Sequence, residues 1–449
     1  MKILFFNFIF IIFIHAETIK INLVSTNDLH GVIAKQEANF MNPQYPPTIL
    51  GGAAFSKYVD DLKNEALEMD EGIIILDGGN FFQGSPLGLY DGGKTIIEWM
   101  NRIGYDALVP GKDDFILGDK NLNELSKDAN FPFLFSNLTC SNCPLISHNI
   151  KPYILKKTSN VIIGILGVVN SNLEELVLGD NLIGTKASNE INAIREWVPK
   201  MKKAGAEVII VLTSAGVPWN REDEYEKFIN QIKNGEINDK SSLNALQMAY
   251  FLKDVDFLVS GGNSKGYFLP WYDPHSHVYV MQGYGGGTEF SHIKLLVDEK
   301  THLFMGYETV IDGKASQTLL ADDFTPNLKD SKWIDSKLKK TKNIILHREF
   351  PLSNNFSTHL TLDKNNWDFP NINQENNIEI ITWNCEFFPH SNDSTIFSLA
   401  EAILDLDADI IAFQELRRIG WFSKLMSYLP KYKYVVSHQA SFMDLAIIY

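Results

Sequence analysis

Ile19-Lys20-Ile21-Asn22-Leu23-Val24-Ser25-Thr26-Asn27-Asp28-Leu29-His30-Gly31 is an alternating apolar run that breaks into a polar loop bearing a carboxylate and an imidazole. A strand that ends on such side chains puts chemistry at a strand end, where layered α/β domains carry it. The pattern recurs down the chain. The buried run 72–76 leads into Asp77-Gly78-Gly79-Asn80-Phe81-Phe82-Gln83-Gly84-Ser85, and Gly111-Lys112-Asp113-Asp114-Phe115 follows Gly104-Tyr105-Asp106-Ala107. Later come Leu212-Thr213-Ser214-Ala215-Gly216, Ser260-Gly261-Gly262-Asn263-Ser264-Lys265 and Gln282-Gly283-Tyr284-Gly285. Helical spacing at 55–67, 95–103 and 189–204 alternates with strand runs at 161–169, 207–212, 254–259 and 277–282. The run 290–297 alternates towards a sheet edge.

The chain has 449 residues with 40 Lys and Arg against 55 Asp and Glu, a net charge of −15. That balance argues against general nucleic-acid binding, which rests on clustered cations, but leaves room for a small phosphorylated ligand. Met1-Lys2, an apolar run over 3–14 and then His15-Ala16-Glu17 read as a signal peptide over 1–16, the alternatives being a buried first strand or an uncleaved anchor. No later segment is apolar enough to span a membrane, so a secreted product is expected. Asn137-Leu138-Thr139, Asn355-Phe356-Ser357 and Asn392-Asp393-Ser394 are glycan acceptor triplets consistent with export. Cys140 and Cys143 read as a local disulfide because no second Cys/His pair completes a zinc site, and Cys385 reads as a buried apolar residue.

The ordered loop motifs over 18–298 resemble the 5′-nucleotidase branch of the calcineurin-like metallophosphoesterases. The resemblance implies a four-layer αββα domain over 17–312 and two-metal phosphoester hydrolysis. There a pair of cations about 3.5–4 Å apart clamps the phosphate and activates water. Asp28 and His30 stand where the family places first-metal ligands. The bridging carboxylate is replaced by Asn80, the Asn ligand by Lys112, and the catalytic His by Asp113. The acid pairing with that His is replaced by Ile116, the next ligand His by Ser214, and the last ligands by Asn263 and Lys265. A dinuclear centre is not expected. What remains is at most one weakly held Mg²⁺, Mn²⁺ or Zn²⁺ on Asp28, His30 and Asn80, or a phosphate or nucleotide held by Lys112 and Lys265 with Asp28 as counter-charge. A salt-bridged, purely structural remnant is the alternative reading.

Residues 313–377 are rich in Lys, Asn and Ser and read as a linker containing one amphipathic helix anchored by Trp333, Ile334 and Leu338. A second α/β unit is expected over 378–449. Its Thr382-Trp383-Asn384 and Phe413-Gln414-Glu415 resemble the opening of an endonuclease/exonuclease/phosphatase domain, a DNase I-like sandwich. The resemblance implies that Asn384 positions a scissile phosphate and Glu415 binds Mg²⁺. Only the start of that fold is matched, so one apolar sheet face is expected to lie uncovered, and 444–449 reads as an unpaired terminal strand.

Overall fold

The alternating run forms the strand Thr18–Thr26, and both of its edges are used. It pairs parallel with Gly72–Asp77 and antiparallel with Glu289–Asp298. The computed structural model describes residues 18–42, 44–177, 179–345, 377–385, 392–416, 419–436 and 444–449, so the expected signal peptide lies outside them. The first sheet runs Phe304–Thr309, Glu289–Asp298, Thr18–Thr26, Gly72–Asp77, Ala107–Leu108, Phe133–Leu134 and Ile150–Lys151, with Ser316–Thr318 also paired to Glu289–Asp298. Glu289–Asp298 is thus the second strand of the sheet, one in from the edge strand Phe304–Thr309. Its alternation, with Leu295 and Val297 buried but Leu296 partly exposed, reflects the two faces of the pleat.

The second sheet runs Trp271–Tyr272, Tyr279–Met281, Phe257–Ser260, Val208–Thr213, Val161–Val168 and Tyr153–Thr158. Val208–Thr213 is buried on both faces, as an inner parallel strand must be. Val208, Ile210 and Leu212 join the core shared with the first sheet, while Ile209 and Val211 meet the helices Glu190–Lys203, Arg221–Lys233 and Ala245–Tyr250. Helices Gly52–Met69, Lys94–Ile103 and Gly118–Asp128 insert Phe55, Trp99 and Leu122 into the first core. The result is the expected order of helix, sheet, sheet, helix.

The domain extends past the boundary expected at 312. Ser316–Thr318 pairs in the first sheet, and the helix Leu328–Ile345 docks on it through buried Ile334. Asn327 N donates to Ala53 O at 2.8 Å, and Arg102 lies over the Trp333 ring at 4.6 Å. The amphipathic helix expected from Trp333, Ile334 and Leu338 is present, but it packs on the domain and is not part of a linker.

Cys140 and Cys143 are bonded, and Cys385 is buried, as read from the sequence. Asn137 departs from expectation. It is buried, its Nδ2 donates to Val169 O and Ser188 O at 2.8 Å each, and its Oδ1 accepts from Val169 N at 2.9 Å. The triplet therefore occupies a structural asparagine and presents no acceptor in the folded state. Asn355 and the side chain of Asn392 lie outside the described residues.

The C-terminal unit is a sheet ordered Ile380–Asn384, Ile410–Leu416, Asp444–Ile448, Tyr434–Val436, with helices Asn392–Leu406 and Ile419–Tyr428. Asp444–Ile448 is paired on both sides, so it is not the unpaired strand expected. One face packs Ile411, Phe413, Ala446 and Ile448 against Ile403, Trp421 and Leu425. Among the described residues the other exposes Ile380, Val435, Leu445 and Ile447. Ile448 is 0% and Ile447 45% exposed. Ile448→Thr should therefore cost this unit about 2–4 kcal/mol and Ile447→Thr less than about 1 kcal/mol. Amide hydrogen exchange along Ile410–Leu416 reads the difference.

Candidate functional site

Each residue of the site lies on a loop at the C-terminal end of a strand. Asp28 and His30 follow Thr18–Thr26, Asn80 follows Gly72–Asp77, and Lys112 follows Ala107–Leu108. Ser214 follows Val208–Thr213, and Asn263 and Lys265 follow Phe257–Ser260. The loops of the two sheets meet at a pair of glycines: a Cβ on Gly78 would fall 2.7 Å from Gly261 N. Only backbone fits there.

Asp28, His30 and Asn80 all have left-handed backbone, with φ of 48°, 50° and 56°. Each such residue stores roughly 1–3 kcal/mol, and such strain clusters at functional sites. The strain is held by interlocked loops: Asp28 N donates to Gly79 O at 2.8 Å, His30 N to Asn80 O at 2.9 Å, and Gly31 N to Phe81 O at 2.9 Å. Asp114 clamps the same loop, its carboxylate accepting from Asn80 N at 2.7 Å, Phe81 N at 2.8 Å and Gly111 N at 2.8 Å. Burial pushes the Asp114 carboxyl well above the usual range, and these N–H donors pull it back.

The Asp28 carboxylate is fully buried and surrounded by donors. Asn80 Nδ2 donates to Oδ1 at 2.7 Å, Asn27 Nδ2 to Oδ2 at 2.8 Å, and Gly262 N to both oxygens at 3.1–3.2 Å. Asn80 Oδ1 in turn accepts from Asp113 N at 3.0 Å. The His30 ring donates through Nδ1 to Gln83 O at 2.8 Å, and its Nε2 faces Asp28 Oδ1 at 4.0 Å.

The structure thus gathers Asp28, His30 and Asn80 as expected, with Lys112 beside them. Lys112 Nζ donates to Gly262 O at 3.0 Å and lies 3.8 Å from Asp113 Oδ2. Its carboxylate neighbour is Asp113, not Asp28. Lys265 instead donates to Tyr284 OH at 3.0 Å. Ser214 Oγ donates to Pro110 O at 3.2 Å, and Asn263 Nδ2 to Val217 O at 2.7 Å. Asn384 and Glu415 form a separate pair in the C-terminal unit, Asn384 Nδ2 donating to Glu415 Oε1 at 3.1 Å. Glu415 sits at φ 59° where the register shifts between Phe413 and Leu416, and such an irregularity can re-aim a side chain.

This donor set does not fit a metal pair. The one carboxylate at its centre is surrounded by N–H donors, and its nearest side-chain neighbours are an amide and, across Gly262, an ammonium. Among the described residues no group of three or more His, Cys, Asp or Glu side chains could hold a metal ion. The sequence reading missed Asn27 and the Gly262 N–H as Asp28 donors. Asn27 adjoins Asp28 and could have been suspected, whereas Gly262 is 234 positions away and carries no side-chain signal.

The fold is similar to that of calcineurin-like phosphoesterases. The chain is 25% identical over 298 residues to the 5′-nucleotidase of Rattus norvegicus, covering 65% of this chain and 49% of that protein. It superposes on the 5′-nucleotidase precursor from Thermus thermophilus with a TM-score of 0.57 and 19% identity, covering 73% of this chain and 59% of that one. Against calcineurin-like phosphoesterase YfkN from Bacillus subtilis the TM-score is 0.55 at 19% identity, covering 74% of this chain and 100% of that one. The chain spans about half the length of the curated relatives it matches. No protein-family model matches it. The chain is related to the 5′-nucleotidase-like phosphoesterases.

The buried carboxylates make the site sensitive to pH in two ways. Asn80→Asp places a second carboxylate at hydrogen-bonding distance from Asp28, where like charges repel by about 4 kcal/mol at an effective dielectric of 20. Its melting temperature should fall below wild type at pH 8 and recover towards pH 5, where one carboxyl regains a proton. Asp77 is fully buried, accepts from Thr26 Oγ1 at 2.6 Å and Gly79 N at 2.9 Å, and burial pushes its pKa up to about 7. The folded carboxyl keeps its proton to about pH 7 while the unfolded one loses it near pH 4. Its contribution is therefore complete below pH 4 and declines by at most roughly 4 kcal/mol as pH rises to 7. Asp77→Asn should remove that slope in denaturation curves taken across pH 4–8.

Proposed function

We propose that the chain is a secreted protein of 5′-nucleotidase-like phosphoesterase fold that has lost dinuclear metal hydrolysis and binds a phosphoester or nucleotide without cleaving it. The observation that carries this reading is the saturated Asp28 carboxylate: a metal would have to displace the Asn80 amide and the Gly262 N–H. Lys112 and Lys265, on loops at the same end of the two sheets, supply the positive charge for an anionic ligand. Secretion is supported by the charged start and short apolar run of the N-terminus. Among the described residues no helix is long and apolar enough to cross a membrane.

A second reading, an active phosphoester hydrolase acting through the C-terminal unit, is favoured by the Asn384–Glu415 pair at the ends of two adjacent parallel strands. We propose that this unit is the opening of an endonuclease/exonuclease/phosphatase domain, with Glu415 as its Mg²⁺ ligand. Metal analysis and turnover of AMP and bis-p-nitrophenyl phosphate with Mn²⁺, Zn²⁺ and Mg²⁺ separate the readings. The expected result is no stoichiometric metal pair and no turnover that Asp28→Ala or Glu415→Ala abolishes. Asp28-dependent turnover with two bound metals per chain sinks the first reading, and Glu415-dependent turnover establishes the second.

A further inference from the structure

We propose that Trp219 and Lys265 form a recognition subsite for the planar aromatic part of an aromatic phosphate, such as the base of a nucleotide. The inference rests on the phosphoester-binding reading above and names where the rest of that ligand is held. The indole of Trp219 is 76% exposed on the loop after Val208–Thr213. An indole left so open in a folded domain is a large apolar surface without cover. The Lys265 ammonium comes from the loop after the neighbouring strand Phe257–Ser260 and lies 5.1 Å from the Trp219 ring centroid, 5.2 Å from that of Tyr284 and 5.8 Å from that of Tyr267. A cation against an indole face is attracted by the ring quadrupole, and of the three N–H donors on the ammonium one goes to Tyr284 OH at 3.0 Å.

The frame around this pair is rigid. Gln282 Nε2 donates to Lys265 O at 2.7 Å and to Asn263 Oδ1 at 2.7 Å, which fixes the Lys265 loop. Tyr267 OH donates to Pro218 O, next to Trp219, and the Arg221 guanidinium lies 5.0 Å from the Tyr267 ring centroid. Among the described residues Lys265 has no carboxylate partner, whereas Lys112 faces Asp113. The loop that carries Lys265 also carries Gly262, which accepts from Lys112 and donates to Asp28. One ammonium thus borders the inner site and the other an exposed ring. That combination suits a ligand with a negative group at one end and a flat ring at the other, since base stacking on an aromatic side chain is worth roughly a 5- to 100-fold change in affinity.

The test is calorimetric titration of the full chain with AMP, adenosine and inorganic phosphate, repeated for Trp219→Ala, Trp219→Phe and Lys265→Gln. Trp219 is exposed, so its variants should keep the wild-type melting temperature. The expected result is AMP binding tighter than phosphate, weakened about 5- to 100-fold by Trp219→Ala and much less by Trp219→Phe, with phosphate affinity unchanged. Lys265→Gln should weaken AMP more than phosphate, because this ammonium sits at the ring while Lys112 borders the inner site; equal weakening of both takes Lys265 out of the aromatic subsite. If AMP binds and Trp219→Ala leaves its affinity unchanged, or if AMP binds no tighter than phosphate, the aromatic subsite is overturned while the phosphoester reading stands. If neither AMP nor phosphate binds, both fall.

Discussion

The contact on which the site depends is the backbone crossing of Gly78 and Gly261. Two sheets packed face to face ordinarily stand about 10 Å apart, too far for the loops of one to bond those of the other. At this crossing the absence of any side chain lets the loops touch. That approach brings the Gly262 N–H to Asp28 and the Gly262 carbonyl to Lys112, so one residue from the second sheet serves both charges from the first. Any side chain at either glycine would part the sheets at the end where the candidate site lies.

The electrostatics of the site follow from that proximity. A fully buried carboxylate must be compensated, because an unpaired buried charge is far more costly than an exposed one. Metal cations could supply the compensation. Here two amides and a backbone N–H supply it for Asp28, and Lys112 sets its charge against Asp113. The loops of the site retain left-handed backbone at Asp28, His30 and Asn80, a conformation that has a cost and that nothing in local sequence favours except at the asparagine and aspartate.

Much of the fold was legible because its strands are apolar runs ending in polar loops: the alternating run marked Thr18–Thr26 and the unbroken one Val208–Thr213. Two readings went astray. Asp444–Ile448 looked unpaired although Ile410–Leu416 and Tyr434–Val436 flank it, and Ser316–Thr318 was read into a linker because its pairing with Glu289–Ser291 leaves no trace in its own composition. The motif order placed Lys112, Ser214, Asn263 and Lys265 on loops at the strand ends, and the structure has them there. What these residues touch was not legible: Lys112 reaches a carbonyl and Lys265 a set of rings, and both are met by loops that local sequence does not point to.

Asn137 shows how a motif can be at odds with the fold that contains it. Its amide nitrogen joins two carbonyls, one of them 32 and the other 51 positions downstream. If the chain passes through a compartment that glycosylates such triplets, modification competes with folding. A sugar attached before Val169 and Ser188 arrive would occupy the nitrogen they require, and the loop could no longer close. Burial of this one amide would then sort molecules by history: those that folded first keep an unmodified Asn137, and those modified first cannot reach the same native state.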